Sequence, residues 1–264
     1  MSGLIGIAPI LEVRNLSKRY ASLLAVDAVN FSISRGDVLG YLGPNGSGKS
    51  TTVKMLTGLL EPTNGEILFQ GRPVRDDLIA YKRAIGYVPE EAQLYGFLTG
   101  WEYLELIATL RDIPARVFEA KAKAMLEAFT IYTYRDATIS SYSKGMRQRI
   151  AVISATMHNP DLLILDEPFT GLDVSSGIVL RRVIEQLAAA GKAIFFASPA
   201  IEVVERVCGH FVLLRKGKRI AGGNMAETLA QLGYTRLEEA FVQMAEQTDT
   251  AQTARDIVAA IEAS

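Results

Sequence analysis

The stretch Gly43-Pro44-Asn45-Gly46-Ser47-Gly48-Lys49-Ser50-Thr51 fits the pattern G-x-x-x-x-G-K-[ST] and lies between the apolar run 38–42 and a helix-like pattern. Glycines let consecutive backbone N–H groups turn toward a phosphate chain, and the following helix directs its positive dipole end at the same place. In such a loop the lysine reaches the β- and γ-phosphates, and the next hydroxyl binds Mg²⁺. The stretch therefore predicts a nucleotide site, with Lys49 in a catalytic role and Ser50 as a metal ligand.

Composition limits the class of protein. The chain has 264 residues, of which 49% are hydrophobic, enough for one sizeable globular core. The net charge is -1, from 28 basic and 29 acidic residues, so no broad electrostatic surface attracts nucleic acid, and we expect no nucleic-acid partner. Cys208 is the single cysteine, which excludes an internal disulfide and favours a small buried side chain.

Neither a membrane span nor a leader is expected. No run of 18 apolar residues occurs, so the sequence predicts a chain that does not cross a membrane by itself. The segment 1–9 is weakly apolar, but no positive region precedes it, and Glu12 and Arg14 follow closely. We read it as a frayed tail and expect a cytoplasmic protein.

Short apolar runs and turn signals indicate the fold class. The early runs are separated by turns, whereas the later ones alternate with helical stretches, a pattern that predicts an α/β core with a parallel sheet and an antiparallel edge. The strand candidates are 10–13, 29–33, 38–42, 66–69, 85–88, 162–165, 193–197, 211–214 and 219–221.

Helical spacing dominates two other regions. Between 101 and 160 no strand-like run occurs, and apolar residues recur at helical intervals, which predicts an inserted helical subdomain over about 97–160. After Gly223 the pattern is helical again and ends with 255–263, where Ile257, Val258 and Ile261 share one side. We therefore divide the chain into a main domain, 1–228, and a C-terminal helical tail, 229–264.

A second acidic element follows a buried strand. The run 161–165 delivers Asp166 and Glu167 at its C-terminal end, the edge at which α/β proteins bind ligands. Asp166 suits the shell of Mg²⁺, and Glu167 suits a base that polarises water. Alone, such a strand end is equally consistent with two solvated acids. Together with the phosphate loop, it predicts a metal ligand and a catalytic residue.

The segment Ser141-Tyr142-Ser143-Lys144-Gly145-Met146 precedes a helix, and Ser143 lies 23 positions before Asp166. Here the chain resembles the ATP-binding cassette family, whose signature loop offers a serine, a glycine and a helix N-terminus to the γ-phosphate held by the opposite subunit. The usual version reads Leu-Ser-Gly-Gly-Gln, and this variant resembles that of small cassette ATPases serving membrane exporters. Without the resemblance, Ser143 or Ser141 is simply a helix N-cap.

The resemblance covers about 11–223 and implies a RecA-like P-loop NTPase core. Gly171-Leu172-Asp173 resembles the D-loop at the dimer interface, and Tyr20 resembles the aromatic that stacks on adenine, although a lone tyrosine is also a common half-buried core residue. Glu90, 41 positions after Lys49, stands where the family has glutamine; it is a third candidate metal ligand, or an exposed acidic turn. The implied nucleotide-binding residues are Tyr20, Gly43, Asn45, Gly46, Ser47, Gly48, Lys49, Ser50, Thr51, Ser143, Gly145 and Met146.

One position departs from the family pattern. Pro199 stands where the family has a histidine that contacts the γ-phosphate, and proline has neither an imidazole nor an N–H. Losing one such donor commonly lowers the rate about 10²- to 10³-fold. His158 and His210 are poor substitutes by their sequence positions. We expect nucleotide binding to survive and hydrolysis at this chain's own site to be impaired.

The resemblance implies the function. We expect an ATP-hydrolysing subunit of a membrane exporter, bound to the cytoplasmic side of the cell membrane, with ATP and Mg²⁺ as cofactors. Its expected partners are transmembrane permease subunits and a second cassette, in a homodimer or a heterodimer. An apolar cluster of Tyr95, Phe97, Leu98 and Trp101 suits a transmembrane partner, or else packs the two lobes together. A regulatory cassette with little hydrolysis and a soluble cassette acting on nucleic acid are the alternatives.

Overall fold

The computed structural model describes residues 8–245 and, beyond them, Arg255, Val258 and Ile261. Strands and helices alternate over most of this length. The strands are β1 (Leu11–Tyr20), β2 (Leu23–Ile33), β3 (Val38–Leu42), β4 (Asn64–Phe69), β5 (Arg72–Pro73), β6 (Ile85–Val88), β7 (Leu162–Asp166), β8 (Ala193–Ser198), β9 (His210–Arg215) and β10 (Lys218–Asn224). The helices are α1 (Lys49–Leu56), α2 (Leu78–Ala84), α3 (Gly100–Leu110), α4 (Ala115–Ala128), α5 (Lys144–Thr156), α6 (Val174–Ala189), α7 (Ile201–Val207), α8 (Met225–Leu232) and α9 (Leu237–Ala245).

Two sheets form the framework. A four-stranded antiparallel sheet has the order β2-β1-β4-β5, and a six-stranded sheet has the order β10-β9-β3-β8-β7-β6. Within the larger sheet, only β10 runs antiparallel to its neighbour. The predicted antiparallel edge on a parallel α/β core is therefore confirmed.

Side chains alternate strictly between the two faces of the central sheet. Leu163 and Leu165 of β7 join one buried cluster with the helices from α3 onward, whereas Leu162 and Ile164 join a second cluster with α1 and the antiparallel sheet. All five residues of β3 are buried. A strand covered on both faces reads as a continuous apolar run, which is why the sequence located β3, β6 and β7 to within one residue.

The parallel strands end together at one edge of the sheet. The phosphate loop connects the end of β3 to the start of α1, and Asp166 is the last residue of β7. Strand β8 lies between them and pairs Leu42 with Ser198 and Asp166 with Ala197. The sheet thereby brings together segments that are more than 100 residues apart in the sequence.

The inserted helical subdomain contains α3, α4 and α5, as predicted. Trp101 packs inside it, with its ring centroid 5.1 Å from that of Phe118. Tyr95 and Phe97 instead remain exposed, with their ring centroids 5.8 Å apart. The apolar cluster predicted from the sequence therefore separates into a packed residue, Trp101, the half-buried Leu98 and an exposed pair.

Several details differ from the prediction. Strands β1 and β2 extend well beyond the predicted runs. The prediction missed the rest of these strands because register shifts after Val13 interrupt the apolar–polar alternation that marks a strand. Strand β5 has only two residues and carries no periodic signal. The polar half of β1 is held by pairing with β2 and β4, a non-local interaction.

The predicted tail boundary at 229 lies within α8. Leu229, Leu237 and Ala240 are buried in the main core cluster, so the described part of the tail packs on the core. Val258 and Ile261 are helical and exposed, and the other residues of the predicted 255–263 helix lie outside the described residues. Within the part of the chain that the structure describes, no helix has the length and apolar character needed to cross a membrane.

Replacing Gly86 by alanine tests the contact between β6 and α5. The added Cβ would overlap the carbonyl oxygen of Ala155 and lie 3.0 Å from a Leu163 methyl group. We expect the free energy of unfolding to fall by about 1–3 kcal/mol, measured by urea denaturation. Gly209→Ala is the matched control, because a Cβ there would meet nothing within 4 Å. Equal effects of the two substitutions would contradict this packing.

Candidate functional site

The phosphate loop has the backbone of an anion cradle. Gly46 and Gly48 have φ angles of 77° and 108°, and a Cβ on Gly48 would lie 2.5 Å from the Ala25 carbonyl oxygen. Only glycine fits at position 48. The first-turn N–H groups of α1, which begins at the next residue, have no intrahelical partner. Ser47 is buried, and its Oγ finds no hydrogen-bond partner among the described residues. These features fit a bound polyphosphate.

Lys49 is folded back onto its own loop. Its Nζ donates hydrogen bonds to the carbonyl oxygens of Gly43, at 2.8 Å, and Pro44, at 3.2 Å. Burial lowers the pKa of this ammonium, and the carboxylates of Glu167, Asp166 and Glu90 act in the opposite direction. A phosphate group offers the same ammonium stronger acceptors than two carbonyls, so the lysine is poised to exchange partners.

Two carboxylates follow β7. Asp166 is 6% exposed, and its burial together with the nearby carboxylates of Glu90 and Glu167 raises its pKa to about 6. Burial also raises the pKa of Glu167, and Glu90 adds to that effect. Glu167 has a φ of 46° and donates its backbone N–H to the Ala197 oxygen at 2.9 Å. A positive φ is uncommon for a residue with a side chain, and the hydrogen bond to Ala197 holds Glu167 at the end of β7.

A cleft of about 720 Å³ brings these elements together. Tyr20 stands at its wall, 43% exposed, with the Lys18 ammonium 5.7 Å from the ring centroid. Of the residues predicted from the sequence, those that line the cleft are Tyr20, Asn45, Gly46, Gly48, Lys49, Ser50, Thr51, Glu90 and Glu167. Gly43 and Ser47 are buried within the loop, and Asp166 is buried at the end of β7.

The sequence did not predict the other residues that line the cleft. Leu23, Leu24 and Ala25 belong to β2, and Lys216 and Gly217 form the turn between β9 and β10. The Lys216-Gly217 pair could have indicated a hairpin turn. Nothing local to it indicates that the turn lies beside the phosphate loop.

The signature loop lies apart from this cleft. Ser143 caps α5 by accepting the Met146 N–H at 3.2 Å, and neither residue lines the cleft. A Cβ on Gly145 would lie 3.3 Å from the Gly171 oxygen, so the signature loop packs against the D-loop of the same chain. Ser143, Gly145 and Met146 are therefore not brought to the phosphate loop within one chain.

Neither histidine is near the site. His158 Nε2 lies 3.0 Å from the oxygen of Ile85, the first residue of β6, and burial lowers the pKa of His158 to about 4. His210 begins β9, with Nδ1 3.8 Å from the Asp37 carboxylate. Both lie at the edge where the parallel strands begin, opposite the phosphate loop. Ser198 Oγ accepts the Ala200 N–H at 3.1 Å, and Pro199 offers no donor.

A divalent cation would need ligands beyond the side-chain acids. Among the residues that the structure describes, no three histidine, cysteine, aspartate or glutamate side chains converge closely enough to hold a metal ion by themselves. Mg²⁺ is usually held by one or two carboxylates together with substrate phosphates. The Ser50 hydroxyl and the Asp166 carboxylate fit that pattern.

Comparisons with known proteins agree with this geometry. A family model described as ABC transporter matches residues 26–170. An uncharacterized ABC transporter ATP-binding protein of Nostoc sp. is 37% identical over 209 residues, which are 78% of this chain and 62% of that protein. The chain thus spans about three fifths of that relative.

Two further matches cover larger shares both of this chain and of the matched protein. The Nod factor export ATP-binding protein I of Ralstonia nicotianae is 33% identical over 225 residues, 85% of this chain and 70% of that protein. A solved structure of an ATP-binding subunit of an ABC transporter has a TM-score of 0.85 and 32% identity, covering 90% of this chain and 100% of that chain.

Asp166→Asn should stabilise the ligand-free protein at high pH. The folded-state pKa of about 6 lies above the ordinary value of 3.8, so the fold favours the neutral acid. Ionised Asp166 therefore lowers the free energy of unfolding. This loss is complete above about pH 6 and disappears below about pH 4, where Asp166 is neutral in both the folded and the unfolded chain. We expect the variant to raise the free energy of unfolding by about 1–3 kcal/mol at pH 8, and the gain to vanish toward pH 4.

Urea denaturation at several pH values measures this difference. Asp112→Asn is the control, because Asp112 is 74% exposed and pairs with Arg83 at 3.4 Å; its effect should stay within about 0.5 kcal/mol. If the increase in the free energy of unfolding caused by Asp166→Asn grew toward acid pH, the result would contradict a raised pKa of Asp166.

Proposed function

The chain belongs to the ABC transporter family, and on that premise we propose that it is the ATP-hydrolysing subunit of an exporter, coupling ATP-driven closure of two cassettes to movement of separate transmembrane subunits. The observation that carries this proposal is the single cleft lined by Tyr20, the phosphate loop, Glu90 and Glu167. Its volume of about 720 Å³ is within the range of small-ligand sites.

Binding would use groups that are already in place. Tyr20 would stack on the base, and the loop N–H groups would receive the phosphates. Lys49 would exchange the Gly43 and Pro44 oxygens for phosphate oxygens. Ser50, Asp166 and Glu90 would hold Mg²⁺, which supplies neutralisation of charge on the phosphates.

Glu167 is the proposed base. The raised pKa of its carboxylate favours proton acceptance. The hydrogen bond from its backbone N–H to the Ala197 oxygen fixes the residue at the end of β7. The carboxylate lines the same cleft as Lys49. Glu167 would therefore polarise a water molecule while Lys49 stabilises the negative charge.

Hydrolysis at this chain's own site is proposed to be slow. Pro199 supplies no donor where the family has histidine, and both histidines lie at the opposite edge of the sheet. Nucleotide binding depends on other groups and would remain. The same observation favours, as a second candidate, a regulatory cassette that binds ATP with little turnover.

The proposed partners follow from what the cleft lacks. Because the signature residues do not line it, a second cassette would supply them from its own signature loop, in a homodimer or a heterodimer. We assign the exporter role by similarity to a protein named for Nod factor export. The molecule would sit at the cytoplasmic side of the cell membrane. Neither the Nostoc nor the Ralstonia relative is named for a nucleic-acid role, and the net charge of -1 does not favour one.

The coupling surface is proposed to include Tyr95 and Phe97. These rings are 54% and 78% exposed and lie a few residues after Glu90. Exposed neighbouring aromatics are typical anchors for a partner's apolar side chain. A transmembrane subunit bound here would be placed close to the nucleotide cleft.

Pro199→His should increase turnover. The imidazole restores a donor to the developing charge, so we expect kcat to rise about tenfold or more in steady-state ATPase assays at saturating ATP. Pro199→Ala is the matched control and should give no gain. Adding Glu167→Gln to the histidine variant should abolish the gain. Wild-type turnover of about 1 s⁻¹ or faster, with no gain from histidine, would contradict an impaired site.

Phe97→Glu should weaken binding to the membrane subunit. A carboxylate cannot be buried in an apolar contact without a large cost, so we expect the amount of polytopic membrane protein that co-purifies to fall about tenfold. ATP affinity should change less than about twofold. Leu110→Glu is the control, because Leu110 is 66% exposed and lies at the far end of α3. Equal losses from both variants would argue against a surface centred on Phe97.

A further inference from the structure

The turn between β9 and β10 is an unassigned part of the cleft wall. Lys216 and Gly217 both line the cleft with the phosphate loop and Tyr20. We propose that the Lys216 ammonium binds the phosphate chain of the nucleotide, which makes this turn a further binding element of the site. The inference rests on the proposed function and adds a residue to it.

The turn is attached to the phosphate loop. The Gly217 N–H donates to the Ser47 oxygen at 3.0 Å, and the Gly217 oxygen accepts the Asp27 N–H at 2.9 Å. A Cβ on Gly217 would lie 2.8 Å from the Ala25 oxygen. Lys216 is therefore carried by backbone that is fixed to the loop on one side and to β2 on the other.

The same contacts locate the turn along the cleft. The Ala25 oxygen lies against both Gly217 and Gly48, at 2.8 Å and 2.5 Å from a Cβ built on each. Gly48 immediately precedes α1, whose N-terminus faces the phosphates. The turn consequently lies beside the part of the loop that cradles the phosphates.

The ammonium has the chemistry for this ligand. Lys216 is exposed, and none of the described residues forms an ion pair with it, whereas its neighbour Lys218 pairs with Asp27 at 3.3 Å. An ammonium is a compact point charge with three donors, suited to phosphate oxygens. A second cation beside Lys49 would also offset the carboxylates of Glu90 and Glu167 in the cleft.

Backbone geometry explains the turn but not the choice of lysine. Lys216 and Gly217 have φ angles of 48° and 81°, as in a two-residue hairpin turn that favours Asn or Gly first. The turn between β4 and β5 has the same geometry with Gln70 and Gly71, at 50° and 76°. Glutamine is therefore tolerated in this conformation, and Lys216→Gln removes the charge while keeping the turn.

Nucleotide binding measured by competition against a fluorescent ADP analogue tests the proposal. For Lys216→Gln we expect the Kd values of ADP and ATP to rise by a similar factor, about fivefold, and that of adenosine to change less than about twofold. Lys216→Arg should stay close to wild type. Lys218→Gln, the control on the same hairpin, should leave all three affinities unchanged.

Salt provides a second measurement. Raising the ionic strength should weaken ADP binding to the wild type more than to Lys216→Gln, because one screened contact has been removed. Unchanged ADP affinity in Lys216→Gln, or an equal loss of adenosine affinity, would overturn the assignment of Lys216 to the phosphate chain. Either result would leave the proposed function of the protein standing. A wild type that binds neither ADP nor ATP would overturn the proposed function together with that assignment.

Discussion

Excess negative charge at the end of β7 is the constraint on which the site depends. Asp166 is 6% exposed and faces the charges of Glu90 and Glu167, with Lys49 as the principal opposing cation. Lys49 is bonded to loop carbonyls rather than to these acids. Burial raises the pKa of Asp166 to about 6, so the isolated chain holds its carboxylates at a cost. A divalent cation held by Asp166, as proposed, would offset that cost, whereas a polyphosphate without the cation would add negative charge.

The parallel sheet determines which charged groups lie close together at this edge. Strands β3, β7 and β8 end at one edge, so the phosphate loop and Asp166 meet although they are distant in the sequence. The same rule places His158 and His210 at the edge where strands begin. No rotamer change moves a side chain from one edge of a sheet to the other. A change of rotamer therefore cannot bring either histidine to the position of Pro199.

Sequence reasoning succeeded where the determinants are local. The phosphate loop, β3 and the strand ending at Asp166 each depend on residues within about ten positions, and their apolar runs and glycines carry the signal. It failed where placement depends on pairing between distant segments. Lys216 reaches the cleft because the Gly217 N–H donates to the Ser47 oxygen. Trp101 is partly buried because α4 supplies Phe118 as its packing partner. Neither contact leaves a trace in the local pattern, so the position of the β9–β10 turn in the cleft wall and the division of the aromatic cluster required the structure.

The signature loop and the D-loop lie beside the cleft rather than in its wall. They are connected to it, because Gln148 of α5 donates a hydrogen bond to the oxygen of Pro168, the residue after Glu167, at 3.3 Å. Arg149 of α5 binds the Asp173 carboxylate at 2.8 Å, and Gly145 packs on Gly171, so the signature loop and the D-loop form one packed unit. This unit does not line the cleft in which slow hydrolysis is proposed. A deficit in hydrolysis and an intact signature can therefore have different consequences. Two identical chains would form two slow sites, whereas a partner with its own histidine would hydrolyse ATP against this chain's signature loop at its own rate.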